Sequence, residues 1–370
     1  MEESILKPLK IKGKILKVPV VQGGMGAGVS LEELAGGVAK EGGMGTISSA
    51  LLDRLVSKRN GRPFNSYEAA YWEVSRAKEL ASQRENGGLV AINIMVALIR
   101  DYEPSVKGAL DAGVDAIISG AGPPLKLPFI QSPKDTALIP IVSSARALDV
   151  FCQKWEKRGF RPDAVVLEGP EAGGHLGFKF DEVADERFSL EKLFSPVKDI
   201  AMKYGDFPVI VAGGIYSHED IVRWQNQGAD GVQMGTRFLA TVESSATAAY
   251  KLAVVHARKE DIAVIPHSPC EMPFRILTTS QMYLDTLKRL RPPKCDKGYL
   301  LRPDAEGNFT QCKAKDSNER YFCICNGLSS SAGYNPDKEA PLYTVGTNAY
   351  RVKKILPVKT LMDELKGLIG

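Results

Sequence analysis

The stretch Pro208–Phe238 reads PVIVAGGIYSHEDIVRWQNQGADGVQMGTRF. It contains two short apolar runs, Pro208–Ala212 and Gly231–Met234, separated by an amphipathic segment, Ser217–Gln227. Apolar runs of this length predict buried parallel strands, and the segment between them is long enough for a crossover helix. Each run ends in a glycine turn. The stretch therefore predicts one strand–helix–strand unit with a glycine turn after each strand.

The same unit recurs toward the N-terminus. Six further apolar runs bounded by turn residues precede it, at Val18–Val21, Met44–Ile47, Val90–Ile94, Ala116–Ser119, Ile139–Val142 and Ala164–Glu168. Amphipathic segments alternate with the runs, at Leu31–Lys40, Ser66–Arg84, Glu103–Ala112, Ala145–Arg158, Leu190–Tyr204 and Ser244–Ala257. Eight such alternations favour an α/β fold of the closed (β/α)8 TIM barrel type, which usually takes about 250 residues. A doubly wound open sheet remains the alternative, because periodicity alone does not establish closure.

Beyond Ala257 the alternation stops. We therefore predict a barrel over residues 1–257 and a C-terminal extension over 258–370 that packs on it and ends in an apolar helix, Val358–Leu368. The extension holds the cysteines Cys295, Cys312, Cys323 and Cys325. These four thiols are candidate ligands for zinc or an iron–sulfur cluster. Their spacing lacks the paired C-x-x-C motifs of common zinc modules, so we expect reduced, packed thiols and no metal.

Composition excludes several classes of protein. The formal net charge is +4 from 48 basic and 44 acidic side chains, which are scattered along the chain, so no nucleic-acid partner is expected. A lysine cluster near the N-terminus (Lys7, Lys10, Lys12, Lys14 and Lys17) is typical of a solvated surface. No apolar run approaches the length of a membrane span and no signal peptide is evident. We expect a soluble, cytoplasmic protein without a membrane partner.

Two adjacent glycine turns indicate a phosphate site. Gly213-Gly214 follows the seventh predicted strand and Gly235-Thr236 follows the eighth. In TIM barrels these two turns commonly form a cradle in which exposed backbone N–H groups meet a phosphate. Either turn alone would be explained as a tight connection between strand and helix. The pair predicts a phosphorylated ligand.

His175 is the strongest candidate for acid–base chemistry. It follows the sixth predicted strand and is flanked by Gly173, Gly174 and Gly177, which leave its ring room to reach a ligand. A hydrogen-bonded loop residue is the alternative interpretation. The first predicted strand leads into Gln22–Gly26 (QGGMG), whose glycines allow the backbone to lie against a flat ring, although a plain turn or core packing would explain them equally. The barrel offers no metal-ligand set of recognised spacing, so the chemistry should belong to a bound cofactor.

Five motifs occur in one order along the barrel: PVVQGGMG (Pro19–Gly26), AINIMV (Ala91–Val96), EGPEAGGH (Glu168–His175), AGGI (Ala212–Ile215) and QMGTRF (Gln233–Phe238). Over about residues 15–245 this combination resembles the nitronate monooxygenase (2-nitropropane dioxygenase-like) and flavin-dependent enoyl-acyl-carrier-protein reductase superfamily. The resemblance implies FMN at the C-terminal mouth of the barrel, with His175 as the catalytic residue. It implies cofactor contacts from Gln22, Gly23, Gly24, Met25, Asn93, Glu168, Gly173, Gly214, Gln233, Met234, Gly235 and Thr236.

The resemblance leaves the reaction open between two flavin chemistries. The first is oxidative denitrification of alkyl nitronates with O2. The second is NAD(P)H-dependent reduction of an enoyl thioester or a quinone, with NAD(P)H as co-substrate. A non-catalytic module that binds flavin or another phosphate ligand is a third, weaker alternative, because an idle scaffold would not need His175 among its glycines. Homodimerisation is a family-level expectation.

Local sequence details point in different directions on this question. Gly120–Pro124 (GAGPP) resembles the corresponding loop of the reductases at least as closely as that of the monooxygenases. Many monooxygenase members have glutamine where this chain has Glu168. In the extension, SPCEMPFRIL (Ser268–Leu277), YFCI (Tyr321–Ile324) and NAYRVKKI (Asn348–Ile355) resemble a longer-tailed group usually labelled nitronate monooxygenase.

Overall fold

The computed structural model describes residues 6–84, 87–266, 268–269, 272–288, 312, 323–334 and 339–369. Its strands are β1 (Leu9–Ile11), β2 (Lys14–Leu16), β3 (Val20–Gln22), β4 (Met44–Ser48), β5 (Leu89–Met95), β6 (Ala116–Gly120), β7 (Ala137–Val142), β8 (Val165–Glu168), β9 (Gly174–His175), β10 (Val209–Ala212), β11 (Gly231–Met234), β12 (Ile262–Ile265) and β13 (Phe274–Leu277).

Eight parallel strands close into a barrel in the order β10-β11-β3-β4-β5-β6-β7-β8, and β8 pairs with β10 to complete the ring. All eight predicted strands are present within a few residues of their expected bounds. Every residue of β4, β6 and β10 is buried, as expected for strands covered on both faces. The closed ring confirms the (β/α)8 barrel and excludes the open sheet.

Helices alternate with the barrel strands and continue into the extension. They are α1 (Glu32–Lys40), α2 (Leu52–Asn60), α3 (Ser66–Ala81), α4 (Ile99–Asp111), α5 (Leu127–Ile130), α6 (Ala145–Glu156), α7 (Leu190–Lys203), α8 (His218–Asn226), α9 (Thr236–Leu239), α10 (Ala248–Val255), α11 (Gln281–Leu287), α12 (Ile324–Ser331) and α13 (Val358–Leu365). Short 3-10 helices lie at Glu186–Phe188, Lys259–Asp261 and Thr347–Arg351. None of the helices described is long and apolar enough to cross a membrane.

The hairpin β1–β2 closes one end of the barrel. Leu9, Ile11 and Leu16 are buried in one cluster with inward-facing barrel residues. Two of the predicted surface lysines form ion pairs at the N-terminal ends of strands. Lys14 Nζ lies 3.1 Å from Asp115 Oδ1, just before β6, and Lys12 Nζ lies 3.4 Å from Asp163 Oδ2, just before β8. This end is therefore sealed, and the C-terminal ends of the strands form the open mouth.

The extension packs on the barrel in two places. At the mouth, β13 pairs antiparallel with β12 on one side and with β9 on the other. A strand of the extension is thus hydrogen-bonded to the loop that follows β8 and contains β9. On the flank, α13 packs against α1, α8 and α9, and its Leu361 and Met362 are fully buried. The predicted terminal helix is thus present, and it ends at Leu365 rather than Leu368.

Candidate functional site

A cavity of about 300 Å³, here called the mouth cavity, lies at the C-terminal ends of the barrel strands. Ligand pockets commonly have this size or larger. Twelve of the thirteen predicted site residues line it: Gly23, Gly24, Met25, Asn93, Glu168, Gly173, His175, Gly214, Gln233, Met234, Gly235 and Thr236. Residues from five different segments of the barrel sequence thus converge on one space.

Gln22 is the exception. It is fully buried in β3, and its side-chain amide is used within the barrel. Its Nε2 donates to Ser30 Oγ at 2.9 Å and to the backbone oxygen of Gly23, while its Oε1 accepts from the backbone N–H of Thr46 at 2.9 Å. The structure therefore places Gln22 outside the cavity lining, where it fixes the turn after β3 against β4.

The glycines after β3 allow close packing between strands. A Cβ atom at Gly24 would overlap the Cβ of Asn93 on β5, and one at Gly23 would lie 3.3 Å from Cγ of Gln233 on β11. Because their side-chain positions point at neighbouring strands, these residues expose backbone to the mouth cavity. The packing interpretation is confirmed at these residues, whereas contact with a flat ring stays a prediction.

The two predicted phosphate turns lie side by side. The strands β10 and β11 pair directly, and Gly213 and Gly214 take left-handed conformations with φ of 98° and 78°. A Cβ atom at Gly214 would overlap the carboxylate of Glu171, whereas one at Gly235 would meet Met25 Sδ only at 3.6 Å. The turns thus present bare backbone to the cavity, which is what a phosphate cradle requires. Glu171 is exposed, so its carboxylate has room to rotate away from Gly214.

His175 lies on the wall of the mouth cavity and is positioned by the extension. Its backbone pairs with that of Phe274 on β13, and the Phe274 ring packs edge-on against the imidazole at 4.5 Å. Its Nε2 lies 3.2 Å from Ser268 Oγ. Burial lowers the pKa of His175 to about 4, because an apolar site disfavours the charged imidazolium. The ring is therefore neutral at physiological pH, with one nitrogen that donates and one that accepts.

Glu168 ends β8 and also lines the mouth cavity. Burial raises the pKa of its carboxyl group to about 7, since the charged form is poorly solvated there. Near neutral pH this side chain is present in both its protonated and its ionised form. A glutamine at this position could only offer a fixed amide, so the glutamate adds a proton that can be held or released beside a ligand.

Sequence reasoning missed a buried arginine that holds the loop after β8. Arg275 of β13 is 6% exposed, and its Nη1 donates to the carbonyl oxygens of Pro170, at 2.7 Å, and Ala172. Burial lowers the pKa of Arg275 to about 10, which still leaves it charged at neutral pH. The motif that contains Arg275 contributes only to the resemblance to a longer-tailed group. Nothing in its composition identifies the loop after β8 as the partner of Arg275.

A second missed contribution comes from residues 344–348 of the extension, all of which line the mouth cavity. Asn348 Nδ2 donates to the carbonyl oxygen of Gly214 at 2.6 Å, and the backbone N–H of Gly346 donates to Thr236 Oγ1 at 2.9 Å. A Cβ atom at Gly173 would lie 2.6 Å from the carbonyl carbon of Val345, so this glycine permits the extension to approach. The extension therefore completes the site around both phosphate turns.

The candidate metal ligands do not assemble in the part of the chain that the structure describes. Cys323 and Cys325 flank the start of α12 and Cys312 is buried, while Cys295 lies outside the described residues. Among the described residues, no group of three or more His, Cys, Asp or Glu side chains has a geometry that could hold a metal ion. Tyr321 and Phe322 likewise lie outside the described residues, as does Cys270.

Comparisons with known proteins agree with this architecture. The family model described as nitronate monooxygenase matches residues 7–367. A probable nitronate monooxygenase of Staphylococcus haemolyticus is 29% identical over 265 residues, which cover 67% of this chain and 72% of that protein.

Two solved structures share the fold. FabK from Thermotoga maritima superposes with a TM-score of 0.66 at 24% identity, covering 95% of this chain and 92% of that one. A nitroalkane oxidase from Streptomyces ansochromogenes superposes with a TM-score of 0.64 at 20% identity, covering 95% of both chains.

Proposed function

The chain belongs to the nitronate monooxygenase family and is an oxidoreductase; on this premise we propose that it binds FMN in the mouth cavity and oxidises alkyl nitronates with O2. The products are a carbonyl compound and nitrite, for which two nitronates and one O2 balance. The observation that carries the proposal is the convergence of both glycine turns, the flat backbone of Gly23–Gly24 and His175 on a single cavity.

The residues present fit FMN. The phosphate would lie against Gly214 and the Gly235–Thr236 turn, which a Cβ atom at Gly214 would disturb. The flat ring would lie along Gly23 and Gly24, with the Asn93 amide and the Glu168 carboxyl group at its edge. When bound, FMN would supply the redox chemistry, accepting electrons from the substrate and delivering them to O2.

The neutral state of His175 sets what this residue contributes. A neutral imidazole does not attract a nitronate by charge, but its N–H can donate a hydrogen bond to a nitronate oxygen and orient the anion. Its depressed pKa also means that it stays neutral down to about pH 4, so we expect His175 itself to cause no inflection in the rate near pH 6.5. Arg275 and Phe274 hold the loop and the ring in place from the extension.

The decisive experiment is an anaerobic absorbance titration of the purified protein with ethyl nitronate, NADH and NADPH in turn. Bleaching of the flavin band by the nitronate alone, followed by nitrite release on admission of O2, is the expected result. Bleaching by a nicotinamide alone would overturn the monooxygenase proposal and indicate a reductase of enoyl thioesters or quinones. Protein that stays colourless after reconstitution with FMN would overturn the cofactor assignment itself.

A further inference from the structure

A second cavity, here called the apolar cavity, lies beside the mouth cavity and has a volume of about 200 Å³. Six residues line both spaces: Gly24, Met25, Met95, Gly173, His175 and Thr344. The two cavities therefore adjoin at the wall that carries the His175 imidazole. A molecule that reacts beside His175 would therefore lie next to the apolar cavity.

The remaining wall is almost entirely hydrocarbon. The barrel contributes Leu51 and Leu98, and α12 of the extension contributes Ile324, Cys325 and Leu328. No charged side chain occurs among the described residues that line it. The hydroxyl of Thr344 is already engaged, 3.2 Å from the hydroxyl of Tyr250. Such a wall offers burial to an apolar group and almost no new hydrogen bonds to a polar one.

The volume limits what the cavity can hold. An apolar cavity of about 150 Å³ in another protein stays free of water and binds benzene. By that measure, about 200 Å³ accommodates a phenyl group or an alkyl chain of about six to eight carbons. Ethyl or propyl groups would leave most of it unfilled.

We propose that the apolar cavity is the subsite for the hydrocarbon part of the substrate, and that the enzyme acts on nitronates bearing a phenyl group or a chain of about six to eight carbons. This inference rests on the proposed function, which places the reacting carbon beside His175. Because α12 belongs to the extension, Ile324, Cys325 and Leu328 would share with the barrel's Leu51 and Leu98 the setting of the preferred chain length.

The first test measures anaerobic flavin reduction by a series of primary nitronates from ethyl to decyl. Each added methylene group should lower the apparent Kd by up to about fourfold, the ratio that corresponds to about 0.8 kcal/mol per buried CH2. The gain should stop near six to eight carbons. A Kd independent of chain length would overturn the subsite while leaving the proposed function intact. If no nitronate reduces the flavin, the proposed function is overturned. Whether the apolar cavity binds a hydrocarbon group is then decided by direct binding.

Direct binding uses hexanamide and acetamide, two neutral amides, titrated calorimetrically into the purified protein. We expect hexanamide to bind measurably and acetamide not to bind. Leu328→Trp, which fills the apolar cavity, should abolish the binding of hexanamide and shorten the preferred nitronate. Leu328→Ala, which enlarges the cavity, should lengthen the preferred nitronate. Leu368→Trp, at a position 61% exposed near the end of the chain, is the matched control.

Folding of each variant is checked by its thermal transition. If Leu328→Trp does not fold, Leu328→Ala still decides the question, because only a residue that bounds the substrate moves the chain-length optimum. Identical chain-length profiles in the wild type, in Leu328→Ala and in Leu368→Trp would overturn the assignment of the apolar cavity as the subsite.

Discussion

The barrel mouth and the C-terminal extension line the same cavity but do so in different ways. The barrel lines the cavity with backbone from the turns that follow its strands. The strands themselves are buried, as in β10, all of whose residues are buried. The extension reaches the cavity through a few specific bonds, including those from Asn348 to Gly214 and from Arg275 to Pro170. The barrel thus provides the backbone surface against which we propose that the phosphorylated, planar cofactor lies. The extension positions His175 and shapes the space beside it.

The sharpest test of the barrel's share is Gly214→Val. The left-handed φ of 78° at Gly214 makes any residue with a Cβ atom strained there, and that atom would also displace the carboxylate of Glu171. Strain of about 1–3 kcal/mol corresponds to a loss of up to about a hundredfold in FMN affinity if the turn moves to relieve it. The measurement is flavin absorbance relative to protein absorbance after reconstitution.

Gly159→Val is the matched control for Gly214→Val, because Gly159 has a φ of 77° and no atom within 4 Å of its side-chain position. It should lose stability but keep its flavin. Full flavin occupancy in Gly214→Val would mean that the phosphate does not lie at this turn.

The next largest effect is expected on replacement of His175, the residue that the extension positions. His175→Ala should leave FMN bound while lowering turnover by at least about tenfold, in line with the loss of a positioned hydrogen-bonding or proton-transferring group. His256→Ala, at an exposed histidine after α10, serves as the control. Steady-state kinetics with the preferred nitronate measure both. Equal turnover in the two variants would remove His175 from the reaction.

A smaller effect is expected where the extension meets the phosphate turn. Asn348→Ala removes the hydrogen bond to the carbonyl oxygen of Gly214 and should weaken FMN binding by about fivefold, as for a net loss of about 1 kcal/mol. Asn60→Ala removes a comparable bond, from Nδ2 to the carbonyl oxygen of Val56 at 2.9 Å, on the barrel surface. Fluorimetric FMN titrations compare the two. If both variants bind FMN like the wild type, the extension does not support the cradle.

The same comparison explains how far the sequence could predict this molecule. The barrel strands were predictable because a strand that is buried on both faces has a continuous apolar sequence. Glycine turns such as Gly213-Gly214 follow those apolar runs directly. The predicted cofactor contact by Gln22 does not follow from such a local pattern, because the residue type does not show which way the side chain points. In the structure its amide bonds to Ser30 and Thr46, and its contact with a cofactor stays a prediction.

The extension's share of the site was less predictable for a physical reason. Asn348 and Gly214 are 134 residues apart, and Arg275 and Pro170 are 105 residues apart. Such pairs leave no periodicity in the sequence. The pairing of β9 with β13 is equally hidden, because β9 has only two residues and one of them is glycine. Local patterns in the sequence predict the strands and helices. The hydrogen bonds that bring the site together join residues far apart in the sequence and leave no such pattern.

The finest test separates the two titratable groups in the mouth cavity. Glu168 has a pKa raised from 4.5 to about 7, so its contribution to folding stability is fully present below pH 4.5 and is lost as the pH rises through 7. His175 has a pKa lowered from 6.5 to about 4, so its contribution is present above pH 6.5 and is lost as the pH falls through 4. Between pH 4.5 and 6.5 the two slopes oppose each other. The cavity should then add little net pH dependence to the wild-type free energy of unfolding.

Glu168→Gln removes one of these slopes without changing the shape of the side chain. The free energy of unfolding of this variant, relative to the wild type, should rise between pH 4.5 and 7 and then level off, as measured by urea denaturation at a series of pH values. Glu103→Gln, at an exposed position on α4, should give a difference that does not follow this curve. If the difference for Glu168→Gln is also independent of pH, Glu168 is not protonated in the folded protein near neutral pH. The barrel would then offer an ionised carboxylate to its ligand, and the ability of Glu168 to hold a proton beside that ligand would have to be abandoned.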